Sequence, residues 1–153
     1  MKIHQLSLFL ENKAGQMAVP CALLAREGIN ILTLTLADTQ QFGILRLIVK
    51  DWQRAKATLE AAGHVVNVTE VVAIEVDDRP GGMKEILDVI DKHGINIEYV
   101  YAFTFKRGNK AILIFRFENA DHAVHCLQAD GVNVVGSVEL FNFTNTMTPS
   151  IAS

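Results

Sequence analysis

The chain has 153 residues, of which 50% are hydrophobic and 20% charged, with a formal net charge of −3 at pH 7. That composition describes a globular protein of one ordinary domain or two small ones, and its acidic balance argues against nucleic acid and membrane surfaces as partners, since both call for a basic face. No apolar run is long enough to span a bilayer and the first residues carry no signal-peptide core, so a cytoplasmic protein is expected.

Taken in chain order, Lys2 to Leu10 alternates as a strand and Asn12 to Gln16 supplies turn residues. Met17 to Glu27 has helical spacing with Val19, Leu23 and Leu24 as its apolar positions, and Gly28 closes it as a C-cap glycine. Ile29 to Ala37 reads as a strand, Asp38 to Gln41 as a turn and Phe42 to Val49 as the hairpin partner. Asp51 then caps a helix over Trp52 to Ala62 that ends at Gly63. The same succession follows again as Glu70 to Val76, Gly82 to His93, Ile95 to Phe105, Ala111 to Phe117, Asp121 to Ala129 and Val132 to Phe143. Strand, helix, strand, strand, helix, strand is the split βαβ order, so the expected class is α+β, with two ferredoxin-like βαββαβ units and helices on one face of antiparallel sheets.

The repetition is literal in places. Gly28-Ile29-Asn30-Ile31 recurs as Gly94-Ile95-Asn96-Ile97, and the same spacing sets Asn12-Lys13-Ala14-Gly15 against Asp78-Arg79-Pro80-Gly81. Self-similarity at such a period means that function is to be sought where the copies match. The expected units are residues 1–68 and 69–143, followed by a tail over 144–153. The hairpin loop around Lys106 to Lys110 is longer than its counterpart at Gln40 and Gln41, as suits an insertion in a loop. Residues 69–75 must end one copy and begin the next. Either 64–67 forms a separate short strand, or one strand is shared, or an element is exchanged between chains. In the strand after Gly28, Ile29 and Ile31 are assigned to one face and Leu32, Leu34 and Leu36 to the other. An apolar second face implies burial against another copy, hence a homodimer.

Asp78-Arg79-Pro80-Gly81-Gly82-Met83 leaves a strand and opens a helix. Its glycines permit positive φ and close backbone approach, and a helix start presents unpaired N–H groups suited to a carboxylate. Alone, such a segment is a good turn; its recurrence in the first copy favours a site. Asn30 and Asn96, each between isoleucines at an early strand position, offer an acceptor and a donor, either to the adjoining turn or to a ligand.

Strand, Asp/Asn-Arg/Lys-x-Gly, helix, Gly-Ile-Asn-Ile, two strands and a helix together resemble the ACT domain, and the resemblance covers essentially all of the chain as a tandem pair. It implies ferredoxin-like units packed side by side that bind small effectors, commonly amino acids, at the interface between them. The implied ligand site comprises Asn12, Lys13, Ala14, Gly15, Gln16 and Met17, with Asp78, Arg79, Pro80, Gly81, Gly82 and Met83, together with Asn30, Ile31, Asn96 and Ile97. The first copy departs from the family pattern in having Ala14 for proline and Lys13 for arginine. A zwitterion suits these residues: helix N–H groups meet its carboxylate, and Asn12, Asp78, Asn30 or Asn96 can accept from its ammonium.

Other candidates have simpler readings. Cys21 and Cys126 form no Cys-x-x-Cys pair, and His122, His125 and Cys126 lack a fourth ligand at matching spacing, so no metal is expected. Tyr99, Tyr101, Phe103 and Phe105 resemble the stacking aromatics of an RNA-recognition sheet, but are read as core residues on the face of Ile95 and Ile97. With no nucleophile and base pair and no cofactor fingerprint in view, the chain is expected to be a non-catalytic regulatory protein that binds an amino acid. The alternative is a regulatory subunit of a separate biosynthetic enzyme such as an acetohydroxyacid synthase.

Overall fold

The computed structural model describes residues 1–38 and 40–145. Its elements in order are β1 (Lys2–Glu11), α1 (Ala18–Arg26), β2 (Ile31–Asp38), β3 (Phe42–Val49), α2 (Trp52–Ala61), β4 (Val66–Asp77), α3 (Gly82–Lys92), β5 (Ile97–Arg107), β6 (Lys110–Phe117), α4 (Ala120–Ala129), β7 (Val134–Val135) and α5 (Ser137–Asn145). They fall into two compact units, His4–Thr69 and the described residues from Glu70 onward, the latter also holding Met1–Ile3. β4 is one strand whose first residues belong to the amino-terminal unit and whose remainder belongs to the carboxy-terminal unit. A shared strand is therefore the arrangement adopted. No described helix is long and apolar enough to cross a membrane.

In the amino-terminal unit the strand order is β2-β3-β1-β4, with β1 and β2 each antiparallel to β3. Alternation in β1 sends Leu6, Leu8 and Leu10 inward, where they meet Leu45, Leu47 and Val49 of β3 and Leu24, Ala55 and Leu59 of α1 and α2. Gly28, at φ +67°, turns the chain out of α1, its N–H bonding the Ala25 carbonyl at 3.0 Å and that of Ile29 bonding Leu24 at 2.9 Å. Asp51 caps α2 through its carboxylate, which accepts from the Arg54 N–H at 3.1 Å.

α1 differs from expectation in two respects. Its regular part begins at Ala18, because Pro20 has no N–H with which to hold the Gln16 carbonyl in a first helical turn. Pro20 and Leu24 are its buried residues, whereas Val19 is 49% exposed.

In the carboxy-terminal unit β4-β6-β5 is the strand path and β7 pairs with β4. Val72, Ile74 and Val76 pack with Phe115 and Phe117 beneath Ile90 of α3 and Ala123 and Leu127 of α4. The segment read as a strand over 132–143 divides at Gly136 into the short β7 and the helix α5. A short run such as Val138 to Phe143 fits either period, and helix wins here: the Leu140 N–H bonds the Gly136 carbonyl at 2.9 Å and Leu140 is fully buried. Arg107 fixes α5 to the end of β5, pairing with Glu139 at 3.0 Å and lying 5.0 Å from the centre of the Phe143 ring. Residues 144 and 145 of the expected tail belong to α5, and 146–153 lie outside the described residues.

The same irregularity occurs in both copies. The β2–β3 register slips between Ile31 and Thr33, and the β5–β6 register slips between Ile97 and Tyr99. A bulge resets side-chain parity. Leu34 and Leu36 consequently stand opposite Leu47 and Leu45, on the helix-bearing face with Ile31, and Thr33 and Thr35 occupy the other. This overturns the face assignment made from simple alternation along β2. Tyr99 and Tyr101 likewise stand opposite Arg116 and Ile114, away from the face of Ile97, Val100 and Ala102. The aromatic stripe is not on the helix-bearing core face.

Candidate functional site

Each helix-start loop is anchored to its neighbouring hairpin by one backbone bond. The Asn12 N–H donates to the Gln41 carbonyl at 3.1 Å, and the Asp78 N–H donates to that of Asn109 at 2.9 Å. Each then turns through a left-handed glycine, Gly15 at φ +84° and Gly81 at +90°. A side chain in that conformation costs about 1–2 kcal/mol.

The amino-terminal loop encloses a cavity of about 140 Å³ lined by Leu10, Glu11, Asn12, Lys13, Gln16, Met17, Leu36 and Gly43. Leu10, Met17 and Leu36 form an apolar wall, and Asn12, Lys13 and Gln16 supply polar groups at its rim. A Cβ on Gly43 would lie 2.9 Å from Leu36 Cδ1, so glycine makes room for the Leu36 side chain on β3. Lys13 Nζ lies 2.7 Å from a Glu11 carboxylate oxygen, and that hydrogen bond raises the Lys13 pKa above its ordinary value. An ammonium has three hydrogens, and Glu11 engages one of them. Pro20, by lacking an N–H, leaves the Gln16 carbonyl outside the helical ladder.

The carboxy-terminal loop is built more tightly. α3 starts at Gly82, where a Cβ would stand 2.0 Å from the Asp77 carbonyl oxygen, so the helix start presses against the end of β4. Arg79 Nη2 meets Glu85 Oε1 at 2.7 Å and Oε2 at 2.8 Å, Nη1 donates to the Pro80 carbonyl at 3.3 Å, and Nε lies 3.4 Å from Asp77. Lys110 pairs with Asp77 and Lys106 with Asp78. The Glu85 hydrogen bond raises the Arg79 pKa, and the Lys110 hydrogen bond holds the Asp77 carboxyl below the usual carboxylate value. A wider depression of about 300 Å³ borders Gly82 and is lined in part by Glu75, Asp77, Glu85, Asp130 and Lys110. Its acidic excess disfavours a carboxylate.

Of the sequence candidates, Asn12, Lys13, Gln16 and Met17 line the first cavity, while Ala14 and Gly15 shape the turn without lining it. Asn30 and Asn96 precede β2 and β5, which begin at Ile31 and Ile97. β1 and β2 run parallel, each being antiparallel to β3, so Asn30 and Ile31 lie at the end of β2 away from the loop. The intervening strand spans roughly 25 Å at 3.3 Å per residue. Within one unit, loop and asparagine cannot touch the same small ligand. Leu10, Leu36 and Gly43 were not among the candidates; the β2 bulge hides Leu36, and Gly43 has no local signal. His122 and Cys126 stand together on α4, Sγ to Nε2 3.8 Å, and among the described residues no group of three or more His, Cys, Asp or Glu could hold a metal ion.

A family model described as an ACT domain pair matches residues 1–144. Among solved structures, protein BT0572 from Bacteroides thetaiotaomicron is 35% identical, with 92% of this chain and 96% of that chain covered and a TM-score of 0.85. The ligand-free regulatory subunit of aspartate kinase from Thermus thermophilus is 18% identical, covering 84% and 93% of the two chains with a TM-score of 0.62. The regulatory subunit of aspartate kinase from Thermus flavus is 19% identical, covering 92% and 94%, with a TM-score of 0.59. At these lower identities the likeness is one of fold. No curated protein matches the chain. The duplicated βαββαβ topology, the paired helix-start loops and the match over nearly its whole length make this chain a member of the ACT-domain family, as an ACT domain pair.

Proposed function

We propose that this ACT domain pair is a non-catalytic sensor that binds a free α-amino acid at its amino-terminal helix-start loop and regulates another protein. The observation that carries the reading is the cavity of about 140 Å³ with an apolar wall of Leu10, Met17 and Leu36 and a rim of Asn12, Lys13 and Gln16. A cavity of about 150 Å³ holds a molecule the size of benzene, so a compact apolar side chain fits this one. Lys13 and the N–H groups of the turn would take the ligand's carboxylate, and the carbonyl of Gln16 or the side chain of Asn12 its ammonium. An asparagine reaching that ligand has to come from outside the unit that supplies the loop.

A regulatory subunit of a biosynthetic enzyme is the second reading, favoured by the fold and nearly full-length correspondence with the aspartate kinase regulatory subunits. Homodimerisation belongs with either reading. Leu34 and Leu36 are 39% and 46% exposed on β2, which ends the strand path, and a second copy would cover them.

The test is a thermal-shift panel of the purified chain against the twenty amino acids at millimolar concentration. A ligand at a hundred times its dissociation constant adds about 2.7 kcal/mol to the native state. A selective rise for amino acids with compact apolar side chains is expected. A flat panel across all twenty amino acids would overturn the sensor reading.

A further inference from the structure

The two loops descend from one pattern but differ in charge at matching positions. Glu85 of the second copy corresponds to Val19 of the first, Asp78 to Asn12, Lys106 to Gln40 and Lys110 to Phe42. In the second loop every guanidinium nitrogen of Arg79 is engaged, by Glu85, Pro80 and Asp77, and both aspartates have lysine partners. The first turn of α3 contains Glu85, whereas that of α1 contains no acidic residue. A carboxylate in the first turn is attracted by the same helix dipole and N–H groups that would attract a ligand's carboxylate. The backbone shows the same contrast. Gly82 lies against the Asp77 carbonyl, while Gln16, its counterpart, lines an open cavity.

We propose that Glu85 acts as a built-in occupant of the carboxy-terminal loop, so that the ACT domain pair takes amino acid at its amino-terminal loop alone. This rests on the amino-acid reading of the loops given above. A carboxylate entering the second loop must displace Glu85 from Arg79 and then remain beside the displaced charge and two aspartates. Like charges at contact distance oppose binding. An exposed ion pair stabilises little on its own. The closure comes from Glu85 accepting both Nη2 contacts of Arg79 while the helix start is already close to that internal anion. At the first loop the internal carboxylate is Glu11 of β1 rather than a residue of the helix start, where Val19 stands; Glu11 engages one hydrogen of Lys13 and leaves the others for a ligand.

The experiment is an NMR titration of the 15N-labelled full chain with an equimolar mixture of the twenty L-amino acids, reading the amide signals of Gly15 and Gly81. In the wild type, Gly15 should shift and saturate while Gly81 stays in place. In Glu85→Val and Glu85→Gln both should respond, with apparent affinity at Gly81 rising by at least about tenfold once the like charge is gone. Val19→Glu, which installs the competitor in the first loop, should suppress the Gly15 response by a similar factor. Glu85 and Val19 are both exposed, and retained amide dispersion verifies that each variant is folded. A Gly81 shift in the wild type, or none in either Glu85 variant while Gly15 still responds, overturns the proposal but leaves the amino-acid reading standing. If neither glycine moves in any of the proteins, the amino-acid reading fails and the proposal fails with it.

Discussion

Replacing Gly82 with alanine isolates the contact that seats α3 on the end of β4. A methyl at that position would lie 2.0 Å from the Asp77 carbonyl oxygen and 2.9 Å from its carbonyl carbon. Ordinary carbon-to-oxygen contacts are about 3.3 Å, so the helix start must retreat by more than about 1 Å. Both obstructing atoms are backbone, and no rotamer change relieves them. Overpacking of this kind costs about 1–3 kcal/mol, and the absence of a yielding side chain places Gly82→Ala toward the upper end. A unit of this size loses roughly 4–8 °C of Tm per kcal/mol, which predicts a fall of about 12–24 °C for a cost near 3 kcal/mol. Calorimetry gives the shift, and amide exchange at Val72 and Ile74 against Leu8 and Leu47 assigns it to the carboxy-terminal unit. Gly94→Ala is the control: at φ +62° with nothing within 4 Å, it measures left-handed strain without a clash. If Gly82→Ala costs no more than Gly94→Ala, the close approach of α3 to β4 is wrong, and with it the view of the second loop as the tighter one.

Leu36→Ala should leave stability within about 0.5 kcal/mol, as for other exposed positions, while weakening amino-acid binding at the first loop; equal loss of Tm and affinity would instead make Leu36 a packing residue. Asp51→Ala removes the carboxylate that accepts from the Arg54 N–H and should cost about 1 kcal/mol in urea denaturation, with Asp51→Asn retaining most of it. Asp77 and Asp130 have carboxyl pKa values lowered from 3.8, by hydrogen bonds from Lys110 and from Lys92 and His93 respectively. Because the folded values are the lower ones, the stabilisation is complete above the ordinary carboxylate range and is lost as pH falls through the depressed values. Tm of the carboxy-terminal unit should therefore drop below about pH 4, and the Asp77→Asn, Asp130→Asn double variant should show a shallower drop. An unchanged acid slope in that variant would mean that other groups carry it.

What could be read in the sequence was what is encoded locally. Gly28 and Gly94, the Asp51 cap, the alternation of Leu6, Leu8 and Leu10 and the repeated Gly-Ile-Asn-Ile all act within a few residues of themselves, and the elements they imply are present. The bulges after Ile31 and Ile97 are properties of strand pairs. No single strand reveals them, and every facing assignment beyond them inverts, including those of Leu36 and Tyr101. α5 was misread for a related reason: Val138 to Phe143 is short enough to satisfy two periods, and its helical form depends on burial of Leu140 and the hold of Arg107 on Glu139 and Phe143. Of the candidate site, the loop residues were legible and the apolar wall was not, because Leu36 reaches the cavity only through the register of β2 on β3.

The comparison of the copies separates scaffold from site. Leu6, Leu8 and Leu10 correspond to Val72, Ile74 and Val76; Leu45, Leu47 and Val49 to Leu113, Phe115 and Phe117; Leu24, Ala55 and Leu59 to Ile90, Ala123 and Leu127. These pairs are apolar throughout, and their differences in volume can be absorbed by repacking neighbours within each core. At the helix starts the substitutions change chemistry instead: Gln16 against Gly82, Val19 against Glu85, Asn12 against Asp78. Gly82 is buried and set by its packing on Asp77, whereas the exchanges at Asn12 and Asp78 and at Val19 and Glu85 lie at exposed positions and cost the fold little. They nonetheless determine whether a helix start meets an outside anion or one of its own. A duplicated unit can in this way retain one architecture while its two loops come to hold different occupants, and the Glu85 and Val19 exchanges test whether a single exposed position governs that difference.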